Sequence, residues 1–228
     1  MSKTALIEAV KTFDVDSVGA ILKTDPSLAK WRSSQGFNLL QFCCSRCTAD
    51  KKATPKKGLP PPARQLRLAK WLVAQGFDPL VIHTTKPGED GEADPAELSL
   101  VFFAVARAQN NALARYFLKQ GAHPGAVFAA VWWGNWEILP DLVRHGADLD
   151  QVVGATPLHM ALVLWMKAVD TKPDQVSRRM KTFKTLIRLG ANPDVRAQTK
   201  EPRSVRELAA RKRDKRYVGA LGQQEIKS

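Results

Sequence analysis

The stretch Gly154 to Trp165, GATPLHMALVLW, places a Thr-Pro pair and a histidine at the opening of an apolar run. Thr156 is a good helix N-cap, because its hydroxyl accepts the orphan amide protons of a first turn. Pro157 suits the first helical position, where its missing N–H costs nothing. Leu158, Ala161 and Leu162 then recur at helical spacing, which predicts a buried face. A histidine in this setting is either catalytic, which demands partners elsewhere in the chain, or architectural, which demands that the stretch recur in degraded form.

The recurrence is present. Four segments, WLVAQGFDP, YFLKQGAHP, DLVRHGADLD and LIRLGANPD, end an apolar run in a glycine followed by a small or apolar residue and a turn. Their glycines are Gly76, Gly121, Gly146 and Gly190. Glycine just past a helix takes the left-handed conformation without a Cβ penalty, so each predicts a helix stop. The residues before them, such as Leu68, Trp71 and Leu72 or Phe183, Leu186 and Ile187, keep the spacing of an amphipathic helix.

Thr156, Pro157, Leu158, His159 and Ala161 together spell T-P-L-H-x-A, and on this signature and the Gly-Ala turns the chain resembles the ankyrin-repeat family. The resemblance implies an all-α solenoid of stacked helix pairs with short or irregular hairpin fingers. It implies a single domain over residues 1–228, with divergent repeats near 4–35, 36–79, 98–124, 125–150, 154–194 and 203–222. It also implies that His159 hydrogen-bonds toward neighbouring loop backbone and braces the stack.

The glycine stops are 45, 25 and 44 residues apart, against a family period of about 33. The departures predict a long finger at 80–97, an almost absent finger at GAHPG, and an insertion between helices at 165–178. A further insertion at 46–63 is rich in Pro and Lys and reads as a loop. Cys43, Cys44 and Cys47 crowd into FCCSRC, an arrangement that cannot make a disulfide framework. A lone CxxC with no second pair is a weak zinc signal, and Cys43 and Cys44 fall where the family needs small side chains for close helix approach. Packing is the favoured reading.

Nothing in the chain reads as GxSxG, a P-loop, GxGxxG or HExxH, so the expectation is a non-catalytic protein without cofactor or metal. His83, His123, His145 and His159 fall at finger, turn or signature positions, and His123 and His145 sit where a polar group favours a helix C-terminus. The N-terminus lacks the apolar core of a secretory signal, and apolar runs such as SLVFFAVA are far short of the roughly twenty residues of a membrane span. A cytoplasmic protein without membrane insertion is expected.

In this family the two residues at the end of each first helix vary at the surface. The matching positions are Lys11 and Thr12, Ser45 and Arg46, Arg107 and Ala108, Trp132 and Trp133, Val163 and Leu164, and Arg211 and Lys212. Adjacent tryptophans point about 100° apart on a helix, so Trp132 and Trp133 cannot both enter one core. Either one faces the groove, or the missing finger lets both rings pack on adjacent repeats. The candidate contact set is Arg46, Arg107, Trp132, Trp133, Trp136, Leu164, Trp165, Arg211 and Lys212.

The net charge is +13, and it is unevenly spread. Residues 178–216 hold 14 Lys or Arg against 4 Asp or Glu, whereas 85–97 carry a net −4. Such a field steers acidic partners. The expectation is a module that binds an acidic or mixed acidic and apolar protein through its concave face. The alternative is a nucleic-acid-associated basic protein, and a solvated terminal cap explains the same charges without any ligand.

Overall fold

The computed structural model describes residues 2–45, 62–84, 97–212 and 215–222. Residues 46–61 of the proposed 46–63 insertion, with Arg46 and Cys47, and most of 80–97 therefore lie outside the described residues, while Pro62 and Ala63 already belong to a helix. The chain divides into two compact units, residues 1–125 and 126–228. Each is built from consecutive helix pairs.

Unit 1 contains α1 (Lys3–Lys11) with α2 (Val15–Thr24), α3 (Leu39–Cys44) with α4 (Pro62–Ala74), and α5 (Leu100–Phe103) with α6 (Asn111–Lys119). A π-helical turn, Ala104–Ala108, extends α5. First helices stack in order, α1 on α3 and α3 on α5, and second helices likewise, α2 on α4 and α4 on α6. Cys43 and Cys44 are fully buried in this stack, which is the packing role their size suits, and burial pushes the Cys44 thiol pKa up. One finger is a two-residue antiparallel hairpin, β1 (His83–Thr84) against β2 (Glu97–Leu98).

Unit 2 contains α7 (Val127–Trp133) with α8 (Leu139–Arg144), α9 (Pro157–Thr171) with α10 (Val176–Arg188), and α11 (Val205–Arg211) with α12 (Lys215–Leu221). Here α7 packs on α9 and α9 on α11.

Helix starts share one device in different residues. Thr156 accepts from the His159 amide, Asn38 from that of Gln41 and Ser204 from that of Glu207, and in each case the side chain of that third helical residue returns a bond to the cap. Each such cap stabilises its helix by about 1 kcal/mol. Helix ends are equally repetitive. Gly76, Gly121, Gly146 and Gly190 all have φ between 85° and 98°. The amides that follow them, of Phe77, Ala122, Ala147 and Ala191, return 3.0–3.1 Å to the carbonyls of Leu72, Phe117, Leu142 and Leu186. This is the Schellman pattern expected of each stop.

Among the described residues, the turns inside three pairs, α1–α2, α5–α6 and α7–α8, use the same left-handed geometry, at Phe13, Gln109 and Gly134, with φ of 56°, 52° and 66°.

Two expectations fail at α9. The surplus at 165–178 is not a loop between helices, because α9 runs 15 residues to Thr171 and a 3-10 turn, Pro173–Gln175, leads into α10. Nothing from Met166 to Thr171 breaks a helix, and Ala168 continues the apolar face one turn beyond Trp165. Val163 and Leu164 consequently lie mid-helix, not at its end. Trp165 is only 2% exposed, with its ring 5.5 Å from Phe183 and 4.8 Å from Tyr217. It is a core residue and not a partner contact.

Candidate partner-binding surface

The α7 helix has no side-chain cap at its start and ends at Gly134 in left-handed conformation. Its sequence VFAAVWW turns Val127, Ala130 and Val131 into the core, which leaves Trp132 outside: that side chain is 56% exposed. Trp133 and Trp136 are half-buried. The 100° step between neighbours on a helix thus separates the two indoles.

The last carbonyls of a helix lack intrahelical donors and carry the negative end of its dipole. Arg179 of α10 supplies both a donor and a charge, its Nη1 donating to the oxygens of Val131 at 3.0 Å and Trp132 at 2.7 Å. Burial, and then the adjacent Arg178 charge, move the Arg179 pKa down from its ordinary value. A guanidinium so placed remains cationic at neutral pH.

Arg178 lies along the turn: a Cβ added to Gly134 would stand 2.7 Å from its Cδ and 2.8 Å from its Cγ. Lys181 Nζ is 5.4 Å from the centre of the Trp136 ring. Trp132, Trp136, Arg178, Arg179 and Lys181 therefore form one aromatic and cationic face of unit 2. The sequence reading found its tryptophans but missed its cations. Their signal was the i,i+3 spacing of Arg178 and Lys181, which puts them on one side of a helix, yet nothing in the sequence said which helix that side meets.

The remaining candidates are scattered. Val163 is 54% exposed and Leu164 half-buried on α9. Arg211 and Lys212 are exposed at the end of α11. Arg107 is exposed at the end of the π turn in unit 1. Three of the C-terminal basic residues are met locally by ion pairs: Arg196 with Glu207 at 2.7 Å, Arg203 with Glu201 at 2.5 Å and Arg206 with Asp194 at 2.8 Å. The hydrogen bond from Arg206 holds the Asp194 carboxyl below its usual pKa. Arg178 and Lys181 have no carboxylate partner among the described residues.

The histidines are engaged in the scaffold. His159 Nε2 reaches the Arg203 oxygen at 2.8 Å, and its Nδ1 is 2.8 Å from the Thr156 hydroxyl. His145 caps α8, its Nδ1 2.8 Å from the Asp141 oxygen. His123 departs from the expected helix-end role, since its Nδ1 accepts from the Gly125 amide at 3.1 Å and so closes a turn. Its carbonyl accepts from the Ser99 hydroxyl at 2.7 Å. Ser99 also caps α5, so in that repeat one serine joins helix start to the following loop as His159 does in its own.

No family model matches the chain, and no curated protein matches it. Among solved structures it is similar to an ankyrin repeat domain from Acinetobacter baumannii AYE, with a TM-score of 0.64 and 18% identity over 97% of this chain and 98% of that one. It is equally similar to a second ankyrin repeat protein, with a TM-score of 0.64 and 20% identity over 98% of both chains. The capped helix pairs, the glycine stops, the His159 brace and these near full-length likenesses give the chain the ankyrin-repeat fold.

Proposed function

We propose that the chain is a non-catalytic protein-binding module, and that the Trp132 face of unit 2 docks an acidic, partly apolar protein segment. The observation that carries this reading is an indole more than half exposed at a helix end whose carbonyls hold the Arg179 guanidinium by hydrogen bonds. Trp and Arg are the side chains that most often dominate binding energy, and a contact surface fixed before docking loses little entropy on binding. Arg178 and Lys181 supply the charge that an acidic partner meets. The engagement of His123, His145 and His159 in turns and caps supports a scaffold role over a catalytic one.

No helix among the described residues is long and apolar enough to cross a membrane. A cytoplasmic site of action belongs to the same proposal, supported by the free, buried thiols of Cys43 and Cys44. The test is affinity purification from the native cell at two salt concentrations with wild type and with the Trp132→Ala, Trp133→Ala double variant. Loss of a salt-sensitive protein partner in the variant is expected; unchanged recovery removes the Trp132 face from the function. The excess of basic residues at 178–216 favours one second reading, nucleic-acid association, which would show as retention competed away by DNA or RNA and not by a generic polyanion.

A further inference from the structure

Unit 1 holds a cleft of about 630 Å³ whose described lining residues, among them Ser33, Gly36, Phe37, His83, Leu98 and Arg107, include no acidic side chain. Its floor is aromatic. Phe37 and Phe103 meet edge to face at 5.0 Å, and both are buried. The His83 ring stands on Phe37 at 4.5 Å in the same manner. The Arg107 guanidinium carbon lies 6.0 Å from the Phe37 ring centre and 5.8 Å from that of Phe103. These contacts hold the guanidinium by its carbon framework. They leave its N–H donors without a carboxylate or carbonyl acceptor among the described residues.

An exposed arginine seated on aromatic rings, with the half-buried Leu98 as the apolar wall of the cleft, is matched by a carboxylate that carries an apolar neighbour: the carboxylate takes the planar donor fork, and the neighbour takes the wall. We propose that this cleft is a second contact site, which receives an Asp or Glu side chain flanked by an apolar residue in a bound peptide segment. The proposal rests on the reading of the chain as a protein-binding module, but on different residues in a different unit. His83 suits such a site as a neutral imidazole, for burial and then the Arg107 charge both lower its pKa. A neutral ring offers one N–H donor and does not repel Arg107. The turn that closes the cleft is fixed from within, because the Ser33 hydroxyl accepts the amides of Gln35 and Phe37. Gly36 holds the left-handed φ of 81° that this turn requires, and a Cβ added there would stand 3.9 Å from the His83 ring.

The experiment uses the full chain and two blocked tetrapeptides, acetyl-Gly-Phe-Glu-Gly-amide and its Gln counterpart, followed by the NMR signals of the Arg107 Nε–H and the His83 ring. Saturable shifts of both, with the Glu peptide binding about three- to fivefold more tightly than the Gln peptide, are expected from one exposed charge-assisted pair. Arg107→Gln should erase that preference, and Arg107→Lys should retain part of it. Arg107 is exposed, so either variant should fold, and an unchanged thermal midpoint verifies this. Equal affinity for the two peptides, or a preference that survives Arg107→Gln, overturns the proposal. So does acetate alone matching the Glu peptide, because the apolar wall would then contribute nothing. The Trp132→Ala, Trp133→Ala variant should bind the Glu peptide as wild type does, so the outcome here is independent of whether the Trp132 face is the main contact.

Discussion

The Nε2 atom of His159 lies 2.8 Å from the main-chain oxygen of Arg203, in the loop that precedes α11. A carbonyl only accepts, so this bond places the proton on Nε2, and the hydroxyl of Thr156, 2.8 Å away, then donates to Nδ1. One ring thus joins the start of α9 to the start of the next pair. His159 is 3% exposed and Thr156 is fully buried. His159→Leu keeps the volume and orphans both partners. A loss of about 1–3 kcal/mol is expected, read from denaturant unfolding with the slope unchanged. An unaltered midpoint would show that the ring is only filler.

Gln109 takes a left-handed φ of 52° at a turn where Gly134, in the corresponding place of the next pair, is glycine. Gln109→Gly removes the Cβ penalty from a half-buried site, and stabilisation of up to about 1 kcal/mol is expected in thermal unfolding. Gly134→Ala should act oppositely and cost more than about 1 kcal/mol, because φ is 66° and the new methyl would strike Arg178. If both substitutions moved the midpoint in the same direction, the turns would not share a conformation.

Gln65 is fully buried between pairs of unit 1. Its Nε2 donates to the Cys43 oxygen at 2.9 Å, and its Oε1 accepts from Asn110 Nδ2 at 3.0 Å. Gln65→Leu removes both bonds, while Asn110 Nδ2 keeps its bond to the Pro62 oxygen and the Cys43 oxygen keeps the Ser45 amide, so a loss of about 1–3 kcal/mol is expected from two hydrogen bonds. Calorimetry that returned the wild-type midpoint would contradict the clasp.

His83 should titrate below the ordinary histidine value of 6.5, because burial and then the Arg107 charge disfavour its protonated form. A group whose pKa falls on folding adds stability that is present above the unfolded value and lost as pH drops through the folded one. Stability should therefore decline on acidification below about pH 6.5, and less so in His83→Gln. Following the ring by NMR tests the cause: Arg107→Gln should raise the His83 pKa while leaving it below the ordinary value, since burial remains. A His83 pKa above 6.5 in wild type would refute the assignment.

The fold was legible because its punctuation is local. A left-handed glycine after an apolar helix and a Thr-Pro cap before one each follow from their own backbone chemistry, so Gly76, Gly121, Gly146, Gly190 and Thr156 could be placed without knowing any tertiary contact. Trp132 was legible for the same reason, through the angular step between neighbours. Trp165 was misread because a family period was laid over a helix that simply continues. Nothing between Met166 and Thr171 breaks it, and attention to the absence of a breaker before Pro173 would have corrected it. Arg179 and Gln65 act through partners about 48 and 45 residues away, and single-sequence periodicity carries no information at that range. The Arg107 cleft was half visible: Arg107 stood among the surface positions and Phe103 lies four residues before it on the same helical segment, but the second ring of its seat, Phe37, comes from elsewhere in the chain.

The most direct test of the Trp132 face is amide hydrogen exchange of the full chain, alone and bound to the protein partner that the affinity purification recovers. Added protection should concentrate in residues 127–136 and in the first half of α10, where Trp132, Arg178, Arg179 and Lys181 lie. Exchange there that is unchanged by a bound partner, with protection appearing elsewhere in the chain, would contradict it.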